Sequence, residues 1–286
     1  DHNGRAACHY CGPCERGCIT HSYFTSIGST LPAARKTGRL TLRPNSVVHS
    51  LIYDESRDRA TGVRVVDATT MQALASTMES ARLLLHSKSN RFSTGLGNSS
   101  GQLGRNLMDH CYGAGASGSI PGMEDQTTYG RRPNGIYIAR FQNVRQKHPD
   151  FLRGYGFQGG AGRSGSPRPS TGFGPQFKEA LFKNTPGPWS FSISGWAECL
   201  PREDNRIELH PTLVDKWGIP ALRVDCTWGP NERVLLKDMQ VTAAEMLEAA
   251  GARNVRTHDS RNPPGHCIHE MGTARMGRDP KTSVVN

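Results

Sequence analysis

The sequence predicts a mixed α+β fold, β-strands accompanied by one long helix, on three observations. Trp189 to Glu198 alternates, with Trp189, Phe191 and Ile193 on one face and Ser190, Ser192 and Ser194 on the other, the period-two pattern of a strand with one buried side. Two β-rich segments, residues 40–53 and 62–66, flank a turn rich in charge and read as a strand pair. Pro230 and Asn231 open a stretch with Leu235, Met239, Met246 and Ala250 at helical spacing, Asn231 as its cap and Gly251 as its stop.

The remaining elements follow in chain order. Residues 24–39 read as a short turn-and-helix connector that Pro32 breaks. Within residues 71–87, Glu79-Ser-Ala-Arg-Leu-Leu-Leu85 is a good helix by propensity. At 99–110, Gly104 frees the backbone for a turn, with Asn106, Asp109 and His110 beside it; a turn held by side-chain hydrogen bonds accounts for that string as it stands. Residues 112–178 are rich in Gly, Ser and Pro, most densely at 154–160 and 162–175, and are expected as loops over the core, a lid on a substrate cleft, with Tyr155 and Phe157 packed inward. Residues 206–209 and 222–226 add strand material, and no internal repeat is visible.

A length of 286 residues permits one large domain or two medium ones. Hydrophobic content of 35% with 32 Gly and 18 Pro suits a loop-rich globular enzyme rather than a disordered tail or a helical bundle. No apolar run approaches the roughly 20 residues of a membrane helix, so no membrane span is expected in this piece. Thirty-five Lys and Arg against 25 Asp and Glu give a formal charge of +10, but these residues are scattered and form no stripe interleaved with aromatics. The charge therefore points to solvation and a cofactor diphosphate, and no nucleic acid is expected as partner. The compartment, cytoplasmic or periplasmic, stays open.

Four of the eight cysteines, Cys8, Cys11, Cys14 and Cys18, form a C-x2-C-x2-C-x3-C run. The spacing matches thiolates wrapped around an iron–sulfur cluster, although Ile19 stands where a proline usually follows the fourth cysteine. Three other readings stand beside it: zinc with help from His9, disulfides strained by the short spacing, and buried structural thiols.

Near the C-terminus His269-Glu-Met-Gly-Thr-Ala-Arg-Met-Gly277 sets an imidazole just ahead of a Gly-Thr pair, with Gly272 and Gly277 relieving the backbone so that the loop can approach a flat ligand. His266 is the competing histidine but lacks the adjoining pair. This segment resembles the C-terminal signature of the glucose-methanol-choline (GMC) flavoprotein oxidoreductases. The string Gly104-Arg-Asn-Leu-Met-Asp-His110 is similar to the Gly-x-Asn-Leu-x-Asp-His motif of the same family.

The resemblance covers essentially the whole chain and implies a fold: part of an α/β FAD-binding domain over 1–111, a substrate-binding domain with an antiparallel sheet and helices over 112–260, and a return to the FAD domain over 261–286. It implies FAD as cofactor, and an alcohol or sugar as small-molecule substrate. It makes His269 the base that takes the hydroxyl proton while hydride passes to the flavin, and Val48, Ser80 and Asn106 cofactor-side residues. Relatives have an apolar strand before the Ser80 helix, for which residues 67–75 look too short. Some sugar dehydrogenases of this type carry an iron–sulfur cluster on C-x5-C-x3-C, the spacing of Cys8, Cys14 and Cys18; a cluster implies an electron-acceptor protein and a dehydrogenase rather than an oxidase. The resemblance places the Gly-x-Gly-x-x-Gly loop that cradles the FAD diphosphate upstream of this chain. Since the chain starts at Asp1 and stops inside a motif, a piece of a longer protein with an incomplete active site, inactive alone, is expected. The rival readings are an iron–sulfur electron-transfer or metal-binding module with a vestigial flavoprotein fold and, more remotely, a basic nucleic-acid binder with a zinc knuckle.

Overall fold

A computed structural model describes residues 5–8, 18, 20–67, 77–126, 135–163, 172–182, 187–267 and 269–285. It is a mixed α/β structure of antiparallel sheets and few helices. The first helix, α1 (Thr30–Lys36), contains Pro32. The proline does not break it: in the first turn a backbone N–H has no intrahelical acceptor, so its loss costs nothing there. The expected strand pair is β1 (Ser46–Asp54) and β2 (Arg59–Asp67), antiparallel, turned by Asp54 Oδ1, which accepts the N–H groups of Ser56 and Arg57 at 3.0 and 3.2 Å. Of the segment noted as short before the Ser80 helix, residues 68–76 lie outside the described residues. The helix itself, α2 (Thr77–His86), buries Ala81.

A five-stranded antiparallel sheet follows, built from β3 (His110–Ile120), β4 (Ile136–Ile138), β5 (Tyr155–Arg163), β6 (Trp189–Glu198) and β9 (Arg253–Asp259) in the order β4-β5-β6-β3-β9. Helix α3 (Pro175–Phe182) precedes β6; β7 (Arg206–Val214) and β8 (Pro220–Asp225) form a separate pair; α4 (Pro230–Ala249) then packs across the sheet. Tyr155 and Phe157 are buried as expected. The Gly-rich segment that holds them is not a loop, however. It is β5, inside the sheet. Its glycines serve close packing: a Cβ on Gly159 would lie 2.1 Å from the Ser192 carbonyl oxygen, and one on Gly195, in β6, 2.4 Å from the Met239 side chain of α4. The stretch 162–175 is outside the described residues at 164–171.

Leu235, Met239, Ala243 and Leu247, four residues apart, turn α4 toward Phe157, Ile193, Ala197, Ala114 and Ala116. Burying each of the larger aliphatic side chains contributes about 1.5–3 kcal/mol. Met246 sits at the edge of that stripe and Ala250 is exposed, so the stripe lies slightly aside of the one read from spacing. Asn231 is not the cap. Gly229 occupies that position and its N–H donates to Glu232 Oε2 at 2.8 Å, while Glu232 Oε1 accepts from Leu200 N at 2.8 Å; Asn231 instead accepts the N–H of Leu152. The helix stops at Gly251, φ +84°.

Candidate active site

The two motifs singled out in the sequence meet. Met108 and Met271 form an antiparallel bridge, each N–H donating to the other's carbonyl at 2.8 and 2.9 Å, and Gly104 N–H donates to the Thr273 carbonyl at 2.7 Å. Glycine is required at two of these positions. Gly272 has φ +100° and a Cβ there would stand 1.9 Å from the Asn106 carbonyl oxygen; on Gly104, φ +84°, it would stand 2.5 Å from the Ile207 carbonyl oxygen. Two backbones thus lie against each other with no side chain between them. Thr273 is fully buried, and Ala274 and Val284 pack with Ala81, Leu103, Leu107 and Ile207 into one core.

Asp109 ties the loop before His269 to this platform. Only 2% exposed, it accepts the N–H of His110 at 2.7 Å through Oδ1 and the N–H groups of Gly265 and Cys267 at 2.8 and 3.2 Å through Oδ2. These backbone donors, all directed at one buried side chain, fix the loop. His269 itself is exposed, its ring edge-on to His110 at 5.0 Å between centroids. His110 stands edge-on to Trp196 at 6.0 Å, and Trp196 stacks on Tyr112 at 4.7 Å. The competing histidine, His266, lies parallel to Tyr112 at 6.5 Å, with Tyr112 Oη 2.9 Å from its Nδ1. Desolvation, reinforced by the nearby Cys267 and Asp109, raises the Tyr112 phenol above its ordinary range, so it remains a donor at neutral pH.

The other sequence-derived candidates are placed unequally. Asn106 is within the platform: φ +59°, 4% exposed, its amide donating to Gln102 Oε1 at 2.9 Å, so its side chain serves the turn and any contact it offers a ligand comes from its backbone. Ser80 is exposed on α2, next to the buried Ala81 that joins this helix to the same core. Val48 is exposed on the β1–β2 hairpin, which reaches α2 at its far end, where Leu51 N–H donates to Ser87 Oγ at 2.8 Å. The hairpin meets the platform through α2, and its Val47 packs with Ile219 and Trp217 at the β7–β8 turn.

Of the cysteine run, Cys11 and Cys14 lie outside the described residues; Cys8 is exposed. Around Cys18 Sγ gather Ser22 Oγ at 3.1 Å, Thr20 Oγ1 at 3.4 Å and Tyr23 N–H at 3.4 Å, which together lower the thiol to about 6. Among the described residues no group of three or more His, Cys, Asp and Glu is disposed to hold a metal ion. Elsewhere burial pushes the thiols of Cys199 and Cys267 up to about 11 and that of Cys226 to about 12, leaving them unreactive.

Asp109 and His110 were visible in the sequence as polar neighbours of a turn. Their partners, Tyr112 and Trp196, were not. One signal existed for Trp196, since the alternation that buries Ile193 and Ala197 puts it on the serine face of β6.

The histidine-bearing C-terminal strap lies on the Gly-Arg-Asn turn beside the antiparallel sheet, and comparison with known proteins gives the class. Residues 201–286 match the C-terminal family model described as GMC oxidoreductase. A 2-methyl-1,2-propanediol dehydrogenase of Mycolicibacterium austroafricanum is 31% identical over 255 residues, 80% of this chain and 42% of that protein. A fructose dehydrogenase large subunit of Gluconobacter japonicus is 25% identical over 297 residues, all of this chain and 53% of that protein. A 6'''-hydroxyparomomycin C oxidase of Streptomyces lividus is 27% identical over 307 residues, all of this chain and 51% of that protein. The chain belongs to the GMC oxidoreductase family, and it spans about half the length of the curated relatives it matches.

Proposed function

We propose that this chain supplies the base-bearing wall and the substrate side of an FAD-dependent enzyme that oxidises the CH–OH group of an alcohol or sugar. FAD, when bound, supplies the acceptor for the hydride that leaves the carbinol carbon. His269 takes the hydroxyl proton on an imidazole nitrogen as the C–H bond breaks, leaving a carbonyl. Asp109 fixes the loop and His110 braces the ring, so the base is presented in one orientation and the rate gain comes from positioning. Residues 1–111 and 261–286 would form the cofactor side and 112–260 the substrate side.

The observation that carries this reading is the Met108–Met271 bridge, which lays the two motifs side by side and leaves His269 exposed at the rim of the sheet. A flat cofactor suits the residues present: Gly104 and Gly272 leave bare backbone, and Ser80 and Val48 are exposed on α2 and β1. Val48, Ser80 and the Asn106 backbone would hold it. Beyond the spacing of Cys8, Cys11, Cys14 and Cys18, nothing among the described residues supports an iron–sulfur cluster. The relatives include dehydrogenases and an oxidase. The test is anaerobic: a panel of alcohols and sugars is mixed with the flavin-loaded protein expressed from the whole gene, and the visible flavin absorption is followed. Bleaching by at least one of them is expected; a protein that binds no flavin, or whose flavin no CH–OH donor bleaches, refutes the proposal.

A further inference from the structure

Resting on the alcohol-oxidation reading above, we infer that the sheet face turned away from α4 is the substrate platform and that Trp196 selects a cyclic polyol, a sugar or cyclitol ring, over a small acyclic alcohol. The register defines that face. Tyr112 stands opposite Trp196, Gly115 opposite Ser194 and His258, Gln158 opposite Ser194, and Ser117 opposite Ser192. The opposite parity, with Ala114, Ala116, Phe157 and Ile193, is the one buried under α4. Across β3, β5 and β6 the open face carries no Leu, Ile, Val or Met.

It divides into two parts. At one end stand the stacked rings of Tyr112 and Trp196. Beyond them lies a polar field in which Ser194 Oγ and His258 Nε2 are 3.0 Å apart and Gln158 is exposed beside them. Gly160 and Gly162 keep the surface low: a Cβ on Gly160 would make only an ordinary contact with the Gly135 Cα at 3.9 Å, and one on Gly162 would meet nothing within 4 Å. A sugar ring has the same division: an apolar C–H face that lies well on an aromatic ring, and a rim of hydroxyls that needs neutral donors and acceptors. A short diol has the hydroxyls without the face. The platform is continuous with the candidate base, because Trp196 meets His110 and His110 meets His269. A ring seated on Trp196 therefore brings its hydroxyl rim toward the imidazole.

Trp196 is a specificity residue in this account, so its substitution must act on affinity rather than on the limiting rate. The flavin-loaded protein is compared with Trp196→Ala, Trp196→Leu and Trp196→Phe by saturation-transfer NMR titration with aldopyranoses, ketoses and inositols, and with 1,2-propanediol as the acyclic probe. At least one ring is expected to bind about tenfold or more tightly than propanediol, and Trp196→Ala to weaken it by about tenfold while leaving propanediol within about twofold. Trp196→Leu, which keeps apolar volume without a flat face, serves if the alanine variant fails to fold, and Trp196→Phe restores most of the affinity. Rings that bind no better than the diol, or a loss shared equally by ring and diol, overturn the assignment. A ring that binds through Trp196 yet leaves the flavin unbleached contradicts the oxidation reading and not this one.

Discussion

Replacing Gly272 by alanine probes the junction on which the site is built. At φ +100° a side chain is in the left-handed region, which costs an L-residue about 1–2 kcal/mol. Its Cβ would stand 1.9 Å from the Asn106 carbonyl oxygen, a backbone atom with no rotamer in which to retreat, so the two strands must separate by more than an ångström. The nearest casualties are the two Met108–Met271 hydrogen bonds, each worth about 0.5–1.5 kcal/mol net. The expected loss is about 2–5 kcal/mol in urea unfolding. Gly101→Ala is the control, since Gly101 has φ +70° with nothing within 4 Å of its Cβ and should lose only the backbone part. Equal midpoints for the two variants would show that the motifs do not press together as described.

Three further outcomes follow from separate parts of the molecule. Asp109→Asn sets an amide N–H₂ against backbone donors, and the freed 265–267 loop should slow flavin reduction by about 10–100-fold, with faster amide exchange at Gly265 and Cys267; unchanged rates would remove Asp109 from the positioning role. Burial opposes ionisation of Asp215, but the N–H of Ile219, the Arg82 guanidinium at 2.8 Å and the N–H of Trp217 outweigh it and hold the carboxyl below its ordinary range. Its stabilisation is therefore present above about pH 4 and lost as pH falls through the lower folded value, so Asp215→Asn should flatten the acid limb of a plot of Tm against pH; an unaltered acid limb would contradict this. Gly159→Ala should lower Tm sharply because its Cβ meets the Ser192 carbonyl oxygen at 2.1 Å, whereas Gly162→Ala, with nothing within 4 Å, should leave Tm nearly unchanged; equal shifts would contradict the close strand packing.

How much of this was legible in the sequence depends on how locally each feature is encoded. Helix α4 and strand β6 announce themselves because their apolar spacing repeats at the period of the element that buries it. Strand β5 does not: glycine has no side chain to alternate, and its abundance looks like a loop until the neighbouring carbonyls and Met239 show why nothing larger fits. Pro32 misleads in the same way, since its effect depends on which turn of the helix holds it. His269 and Asn106 could be picked out by motif, but the bond pattern that joins their segments, and the Asp109 carboxylate that fastens the loop, are long-range facts. The cap of α4 was misassigned by two positions because a glycine cap has no side chain to signal it and Glu232 does the work from inside the first turn.

The central claim is that His269, rather than the nearby His266, faces the reacting hydroxyl. Anaerobic stopped-flow reduction of the flavin-loaded protein by its best alcohol or sugar donor, compared between His269→Ala and His266→Ala, measures this directly. The account predicts a fall of about 10²–10⁴-fold for His269→Ala and less than about tenfold for His266→Ala. Full-rate reduction by the His269 variant, with the collapse confined to His266, would contradict it.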